Sequence, residues 1–132
     1  MQVKGYQSTP LRVIFDVKLY LRIKSRLVIG GHVIDSSGHE VYASTMKSIS
    51  SRILMTIAAA NNLDVMTGDI GNAYLNANTQ EKIYTCADAE FELVGLISEG
   101  TFIKVINAIY GLMNSGNIWH THLSHTLRSM GF

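Results

Sequence analysis

Cysteine, proline and long apolar runs are scarce in this chain. Cys86 is the single cysteine among 132 residues, so no internal disulfide can form, which fits a reducing compartment. Pro10 is the single proline, and we find no internal repeat and no low-complexity segment. No apolar run is long enough to cross a bilayer, and the first residues lack the basic start and apolar core of a secretory signal. We therefore expect an intracellular protein, neither secreted nor membrane-bound.

A large net charge is also missing, but the charge is unevenly distributed. The chain carries a formal net charge of +1 at pH 7, whereas residues 1–30 contain six basic residues and one acidic residue. The remaining residues are therefore net acidic. A basic first quarter could contact phosphates while the acidic remainder holds a divalent metal. Alternatively, the cations are only the solvated face of a two-stranded ribbon.

Hydrophobic periodicity predicts strands in the first part of the chain. Residues 12–17 and 19–29 alternate apolar with polar or basic side chains, which predicts an antiparallel pair joined near Lys18. Gly30-Gly31 and residues 35–38 have loop composition. Ser48 or Ser50 could cap a helix that ends at Asn61-Asn62, and its apolar side chains recur at helical spacing, so we expect a core helix.

The second part of the chain mixes strands and helices. Residues 63–70 predict a short, mostly buried strand, followed by a helical turn at 73–76 and strands at 82–86 and 101–106. Ser115 is expected to cap a final helix with one apolar face, formed by Trp119, Leu123, Leu127 and Met130. The elements do not alternate regularly. The best class is therefore α+β, with an antiparallel sheet backed by helices.

The segment 67–75 is the most informative part of the chain. It reads Thr-Gly-Asp-Ile-Gly-Asn-Ala-Tyr-Leu and places Asp69 at the end of the predicted strand, between Gly68 and Gly71. Glycines allow backbone conformations and close contacts that side chains forbid, so a ligand could approach here. An aspartate between glycines is also typical of a plain turn, and the segment alone leaves that reading open.

Four blocks of the sequence resemble the reverse transcriptase of copia-type long-terminal-repeat retrotransposons. They are residues 24–32, 69–75, 81–84 and 108–112, the last leading to Trp119 and the terminal Gly131-Phe132. The resemblance runs from about Ile14 to the last residue. It implies a nucleotidyltransferase, an RNA-directed DNA polymerase that uses two magnesium ions for nucleotide addition.

The resemblance also implies roles for individual residues. Asp69 would be the catalytic carboxylate and a metal ligand, together with the backbone carbonyl of Ile70. The backbone N–H groups of Gly71, Asn72 and Ala73 would lie near the phosphates. The ring of Tyr74 would lie under the sugar and disfavour a 2'-hydroxyl. Tyr110 and Gly111 would line the substrate pocket. Lys24 or Arg26 would bind the triphosphate, and the spacing leaves open which of them does so.

The sequence departs from the family pattern at several places. Met113, and Asn117 with Ile118, stand where copia-type sequences usually carry cations, and Ala-Asp-Ala-Glu-Phe at 87–91 replaces a Gly-Pro-Glu-Phe pattern. The aromatic-x-Asp-Asp hairpin that supplies the other two metal carboxylates is not among the 132 residues. We therefore expect one partial domain, truncated before that hairpin, with a fingers ribbon and loop at about 12–45 and helices and partial palm at about 46–132.

These expectations set the predicted function. The chain would be a fragment of a copia-type reverse transcriptase, inactive alone, with weak or absent Mg²⁺ binding. The alternative is a non-catalytic remnant that binds nucleic acid or a protein. Partners of the complete enzyme would be an RNA or DNA template-primer, deoxynucleoside triphosphates, and integrase and ribonuclease H domains, in the cytoplasm (virus-like particle) or nucleus. The histidines, His32, His39, His120, His122 and His125, are assigned no chemistry.

Overall fold

The computed structural model describes residues 4–36, 38 and 40–132, and it has the mixed α and β content that the sequence predicts. Its strands form two separate sheets, one of two strands and one of three. Ser37, in the predicted loop 35–38, and His39 lie outside the described residues. Within those ranges, no helix is long and apolar enough to span a membrane.

The two-stranded sheet, the ribbon, consists of β2 (Leu11–Val17) and β3 (Ile23–Ile29). The strands are antiparallel, with Leu11 opposite Ile29 at one end and Val17 opposite Ile23 at the other. The predicted ribbon is therefore confirmed. Its connection is longer than predicted, because residues 19–21 form the turn instead of extending the second strand.

The three-stranded sheet has β4 (Asn78–Cys86) at its centre. β5 (Phe102–Asn107) pairs with it antiparallel, as predicted, and β1 (Gln7–Ser8) adds a short parallel edge that the sequence did not indicate. β4 begins earlier than the predicted position 82, and its register with β5 shifts between Asn78 and Ile83. A short helix, α2 (Ala89–Leu93), lies between these strands in the chain.

The core lies where the base of the ribbon meets the three-stranded sheet. Its buried members come from the ribbon, the sheet and the loops beside them: Leu11, Ile29, Ile34, Ile83, Ala87, Phe91 and Leu112. The opposite end of the ribbon contributes nothing to this core, since Phe15, Val17 and Ile23 are exposed. The ribbon therefore projects from the core by most of its length.

Helix α1 (Ser48–Ala60) forms where the sequence predicts it, but its predicted role as core scaffold is wrong. Ile49, Ile53 and Ile57 are exposed, and Ala58 is its one buried residue. The N-cap is Lys47, without a side-chain capping bond, so the predicted serine cap is also wrong. Helical periodicity shows that a helix has an apolar face, but it does not show what covers that face.

The predicted strand at residues 63–70 is absent. These eight residues have no regular structure and all are exposed, and none of the described strands pairs with them. An apolar run without a pairing partner cannot satisfy its backbone as a strand. The helical turn that follows is confirmed as a 3₁₀ helix, Ala73–Asn76.

The last helix, α3 (Ser115–Ser129), is confirmed in position but not in its cap. Its N-cap is Asn114, and the buried Ser115 is the first helical residue, whose Oγ donates to the carbonyl oxygen of Ile109 at 2.7 Å. Trp119 and Leu123 are half-buried. Leu127 and Met130 are exposed, so only the first half of the predicted apolar face is packed.

Candidate functional site

Three of the predicted site residues, far apart in sequence, form one cluster. The ring centroids of Tyr74 and Tyr110 lie 5.1 Å apart with an interplanar angle of 57°. The Arg26 guanidinium carbon lies 6.0 Å from the centroid of the Tyr110 ring. All three side chains are half-buried. The ribbon, the 3₁₀ helix and the loop before α3 therefore converge on a guanidinium next to two aromatic rings, which we call the Arg26 cluster.

The backbone of Tyr110 is fixed to the base of the ribbon. The N–H of Ile29 donates to the carbonyl oxygen of Tyr110 at 2.9 Å, and Val28 forms an isolated parallel bridge with Tyr110. Gly111 has a φ of +95°, and a Cβ there would overlap the carbonyl oxygen of Ile29. Gly111 therefore allows the loop before α3 to approach the ribbon backbone closely.

Gly31 is a second glycine at this contact, and the sequence interpretation treated it only as a loop residue. It is buried, and a Cβ there would overlap the carbonyl oxygen of Gly111. Two segments separated by 80 positions therefore touch backbone to backbone through two glycines. Composition could not reveal this pairing, although both glycines lie in blocks that resemble the family.

The charge of Arg26 is held beside apolar and aromatic groups. Its cross-strand neighbour is Ile14, whereas the cross-strand neighbour of Lys24 is Asp16. A guanidinium on an aromatic face is attracted by the ring quadrupole, and its planar fork of N–H donors can still bind phosphate or carboxylate. The arrangement can therefore hold an anion whose uncharged part rests against the tyrosine rings.

Lys24 occupies a different part of the ribbon from the Arg26 cluster. It lies on the same face of β3 as Arg26, two residues nearer the tip, where it lines a groove of about 310 Å³ with Lys18 and Arg22. The structure thus separates the two cations that the sequence treated as alternatives for one role.

The segment around Asp69 is exposed and irregular. Gly68 and Gly71 have open space around them and do not have positive φ angles, so the backbone here does not use the conformational freedom of these glycines. Asn72 instead adopts the left-handed conformation, with φ 52°. The carbonyl oxygen of Asn72 accepts a hydrogen bond from Asn76 Nδ2 at 3.2 Å. Asparagine tolerates this conformation better than most residues, so the turn forms without glycine.

The remaining predicted positions surround that turn. Asp69 and Ile70 are exposed in the irregular segment, and Ala73 is half-buried in the 3₁₀ helix directly before Tyr74. In the part of the chain that the structure describes, no group of three or more histidine, cysteine, aspartate or glutamate side chains could hold a metal ion. The described residues by themselves therefore do not fit a two-metal centre.

A buried polar pair lies behind the loop that carries Tyr110. Glu81, on β4, is buried, and its Oε1 accepts a hydrogen bond from Nδ2 of the buried Asn114 at 2.6 Å. Glu81 Oε2 and Asn114 Oδ1 have no hydrogen-bond partner among the residues that the structure describes. Asn114 is the N-cap of α3, so this pair connects the sheet to the start of the last helix. Sequence interpretation missed the pair, although Glu81 belongs to one of the four blocks.

Comparison with known proteins adds to this geometry. The sequence model described as reverse transcriptase (RNA-dependent DNA polymerase) matches residues 2–132. The chain is 28% identical over 121 residues to the retrovirus-related Pol polyprotein from transposon TNT 1-94 of Nicotiana tabacum, covering 89% of this chain and 9% of that protein.

Two Pol polyproteins from Arabidopsis thaliana are also similar. The chain is 26% identical over 115 residues to the one from transposon RE1 and 27% identical over 115 residues to the one from transposon RE2. Each match covers 84% of this chain and 8% of the relative. The chain therefore spans less than a tenth of the length of these relatives. No solved structure matches it significantly.

Proposed function

Because this chain belongs to the copia-type reverse transcriptase (RNA-dependent DNA polymerase) family, we propose that it forms the fingers and the first part of the palm of such an enzyme. The ribbon and loop at about 12–45 would be the fingers portion, and about 46–132 the helices and partial palm. The projection of the ribbon from the core supports this division, since a projecting ribbon can close over a ligand at its base.

The Arg26 cluster is the observation that carries the proposal. Arg26 would bind the triphosphate of an incoming deoxynucleotide, while Tyr74 lies under the sugar and Tyr110 packs against the substrate. Charge-assisted hydrogen bonds from a guanidinium neutralise the charge that develops as pyrophosphate leaves. The 6.0 Å contact of Arg26 with Tyr110 supports Arg26 over Lys24 for this role.

Magnesium chemistry belongs to this proposal only for the complete protein. Asp69 and the carbonyl of Ile70 would contribute ligands, and the backbone N–H groups of Gly71, Asn72 and Ala73 would lie near the phosphates. Hard oxygen ligands suit Mg²⁺, but one carboxylate does not hold two ions, so no catalytic step is assigned to this chain alone.

The proposal extends to the partners of the complete protein. An RNA or DNA template-primer and deoxynucleoside triphosphates would be its substrates, and integrase and ribonuclease H domains would belong to the same Pol polyprotein, inside the cell. The Pol polyprotein relatives support this assignment. They give no separate support to the alternative of a non-catalytic binding remnant.

Titration with a fluorescent deoxyadenosine triphosphate tests the proposal. Arg26→Ala should raise the Kd about tenfold or more, because a charge-assisted hydrogen bond contributes roughly 1.5–3 kcal/mol. Arg12→Ala is the matched control, since it removes an exposed cation from the other strand of the same ribbon. Equal Kd values for the two variants would reject the assignment of Arg26.

A further inference from the structure

A polar groove lies between helix α3 and the start of strand β4, and we call it the α3 groove. Its volume is about 370 Å³, and its lining comes from the loop at Glu40, from residues around the start of β4 and from the first half of α3. The three residues of the Arg26 cluster are not among the described residues that line it. The α3 groove is therefore a second site, and its chemistry does not depend on the proposed function.

Two of the lining residues are buried polar side chains with unmet hydrogen-bonding capacity. Glu81 is 8% exposed and Asn114 is 3% exposed. Glu81 Oε1 accepts from Asn114 Nδ2 at 2.6 Å and from Ser36 Oγ at 3.5 Å. Glu81 Oε2 and Asn114 Oδ1 accept from no described residue. A buried acceptor without a donor is costly, so these two oxygens favour a ligand that brings N–H or O–H groups.

The charges of the α3 groove indicate a cationic ligand. Its described lining includes the carboxylates of Glu40 and Glu81 and no lysine or arginine, and its histidine, His122, is exposed. A concave surface with charge of one sign attracts ions of the opposite sign. A metal ion does not fit, because the described residues contain no group of three or more side chains that could hold one. The ligand is therefore an organic cation with hydrogen-bond donors.

The arrangement of acceptors selects a guanidinium among organic cations. A guanidinium carries its N–H donors in a planar fork and can serve acceptors on two side chains at once, and it is more weakly hydrated than an ammonium. Buried Ala77 and half-buried Ile118 provide apolar contact for a methylene stem. We propose that the α3 groove binds an alkylguanidinium, with its charged head on Glu81 and Asn114.

Position 117 gives this proposal independent support. Asn117 and Ile118 both line the groove, and they stand in the stretch where copia-type sequences usually carry a cation. Asn117 Nδ2 instead donates to the carbonyl oxygen of Tyr42 at 3.0 Å. The chain thus lacks, at the groove itself, the kind of side chain that the acceptors of Glu81 and Asn114 require.

Titration of the isotope-labelled chain, followed by NMR, tests the proposal with butylguanidinium as the probe. The side-chain amide signals of Asn114 should shift on binding. Glu81→Gln should raise the Kd about tenfold or more, because it removes a charge-assisted hydrogen bond. Glu90→Gln is the matched control, since it makes the same change at an exposed carboxylate outside the groove and should leave the Kd unchanged. Thermal unfolding of both variants checks that the fold is kept.

Two further probes examine the chemistry and the source of the ligand. Butylammonium has the same stem without the fork and should bind several-fold more weakly than butylguanidinium. Tighter binding of N-acetylarginine methylamide than of butylguanidinium would identify an arginine of a protein segment as the ligand, and equal or weaker binding would identify a free alkylguanidinium. Equal binding of butylammonium, or no shift of the Asn114 amide with any probe, would overturn the proposal.

A guanidinium attached to α3 gives a test that needs no added ligand. Asn117→Arg should place its guanidinium in the groove, prevent butylguanidinium binding and raise the Tm above that of Asn117→Met. The methionine variant is the control, because it also loses the hydrogen bond to Tyr42 but carries no charge. Adding Glu81→Gln should remove the difference in Tm. Equal Tm values for Asn117→Arg and Asn117→Met, with butylguanidinium still bound by both, would contradict a guanidinium site.

Discussion

The region where the ribbon base meets the three-stranded sheet differs sharply from residues 48–70, although both are rich in apolar side chains. The first region contains Ile29 and Ile83, which are buried, while the second contains Ala58 as its only buried residue. Burial of apolar area is the main source of folding free energy. Stability therefore lies in the first region, which also holds Arg26 and Tyr110. Asp69 lies in the second.

The largest expected difference between these regions is in unfolding free energy. Ile83→Ala, at a side chain that is 0% exposed, should cost about 4 kcal/mol, because it removes buried methyl groups and leaves a cavity. Ile53→Ala on α1, at a side chain that is 53% exposed, should cost less than about 1 kcal/mol. Urea denaturation of both variants measures the contrast. Similar losses would mean that α1 is packed against a partner in solution.

Glycine substitutions sharpen the same comparison. Gly111→Ala should cost roughly 2–3 kcal/mol, since it places a Cβ against the carbonyl oxygen of Ile29 at a positive φ. Gly71→Ala has open space and should change the unfolding free energy by less than about 1 kcal/mol. Nucleotide titration should also show weaker binding for Gly111→Ala, because Tyr110 is displaced from Arg26. Equal stability of the two variants would contradict the glycine contact.

The buried Glu81 and Asn114 pair gives the smallest of the three effects. Glu81→Leu should cost about 1–3 kcal/mol, because it leaves the amide of Asn114 buried without an acceptor. Glu81→Gln should stay within about 0.5 kcal/mol of the parent, since the introduced amide accepts from Asn114 Nδ2 and can donate to Asn114 Oδ1, which has no partner among the described residues. Thermal unfolding compares them, and a Glu81→Gln loss as large as that of Glu81→Leu would refute this pairing.

Local patterns predicted the elements that depend on local interactions. The alternation in residues 12–17 and 19–29 predicted the ribbon, and the helical spacing between Ser48 and Asn61-Asn62 predicted α1. Burial was not predictable for α1, because it depends on a partner that periodicity does not identify. The strand predicted at 63–70 failed for the same reason, since periodicity does not identify a pairing partner and none of the described strands pairs with these residues.

The candidate site shows the same division between local and distant information. Resemblance to a family indicated Tyr74, Tyr110 and either Lys24 or Arg26, but only the fold brings Arg26 together with the two tyrosine rings. The Glu81 to Asn114 hydrogen bond joins residues 33 positions apart, a separation that composition and spacing do not encode. The sequence also did not predict the contact between Gly31 and Gly111, because glycine is common in ordinary loops.

The hydrogen bond from Ile29 to Tyr110 has a mechanical consequence. The ribbon is held at its base by the carbonyl group of Tyr110, the residue whose ring lies beside Arg26. Tilting the ribbon would move the Tyr110 ring, because the two backbones are in close contact at Gly31 and Gly111. A ligand that binds the exposed end of the ribbon would therefore change the position of the Tyr110 ring at its base.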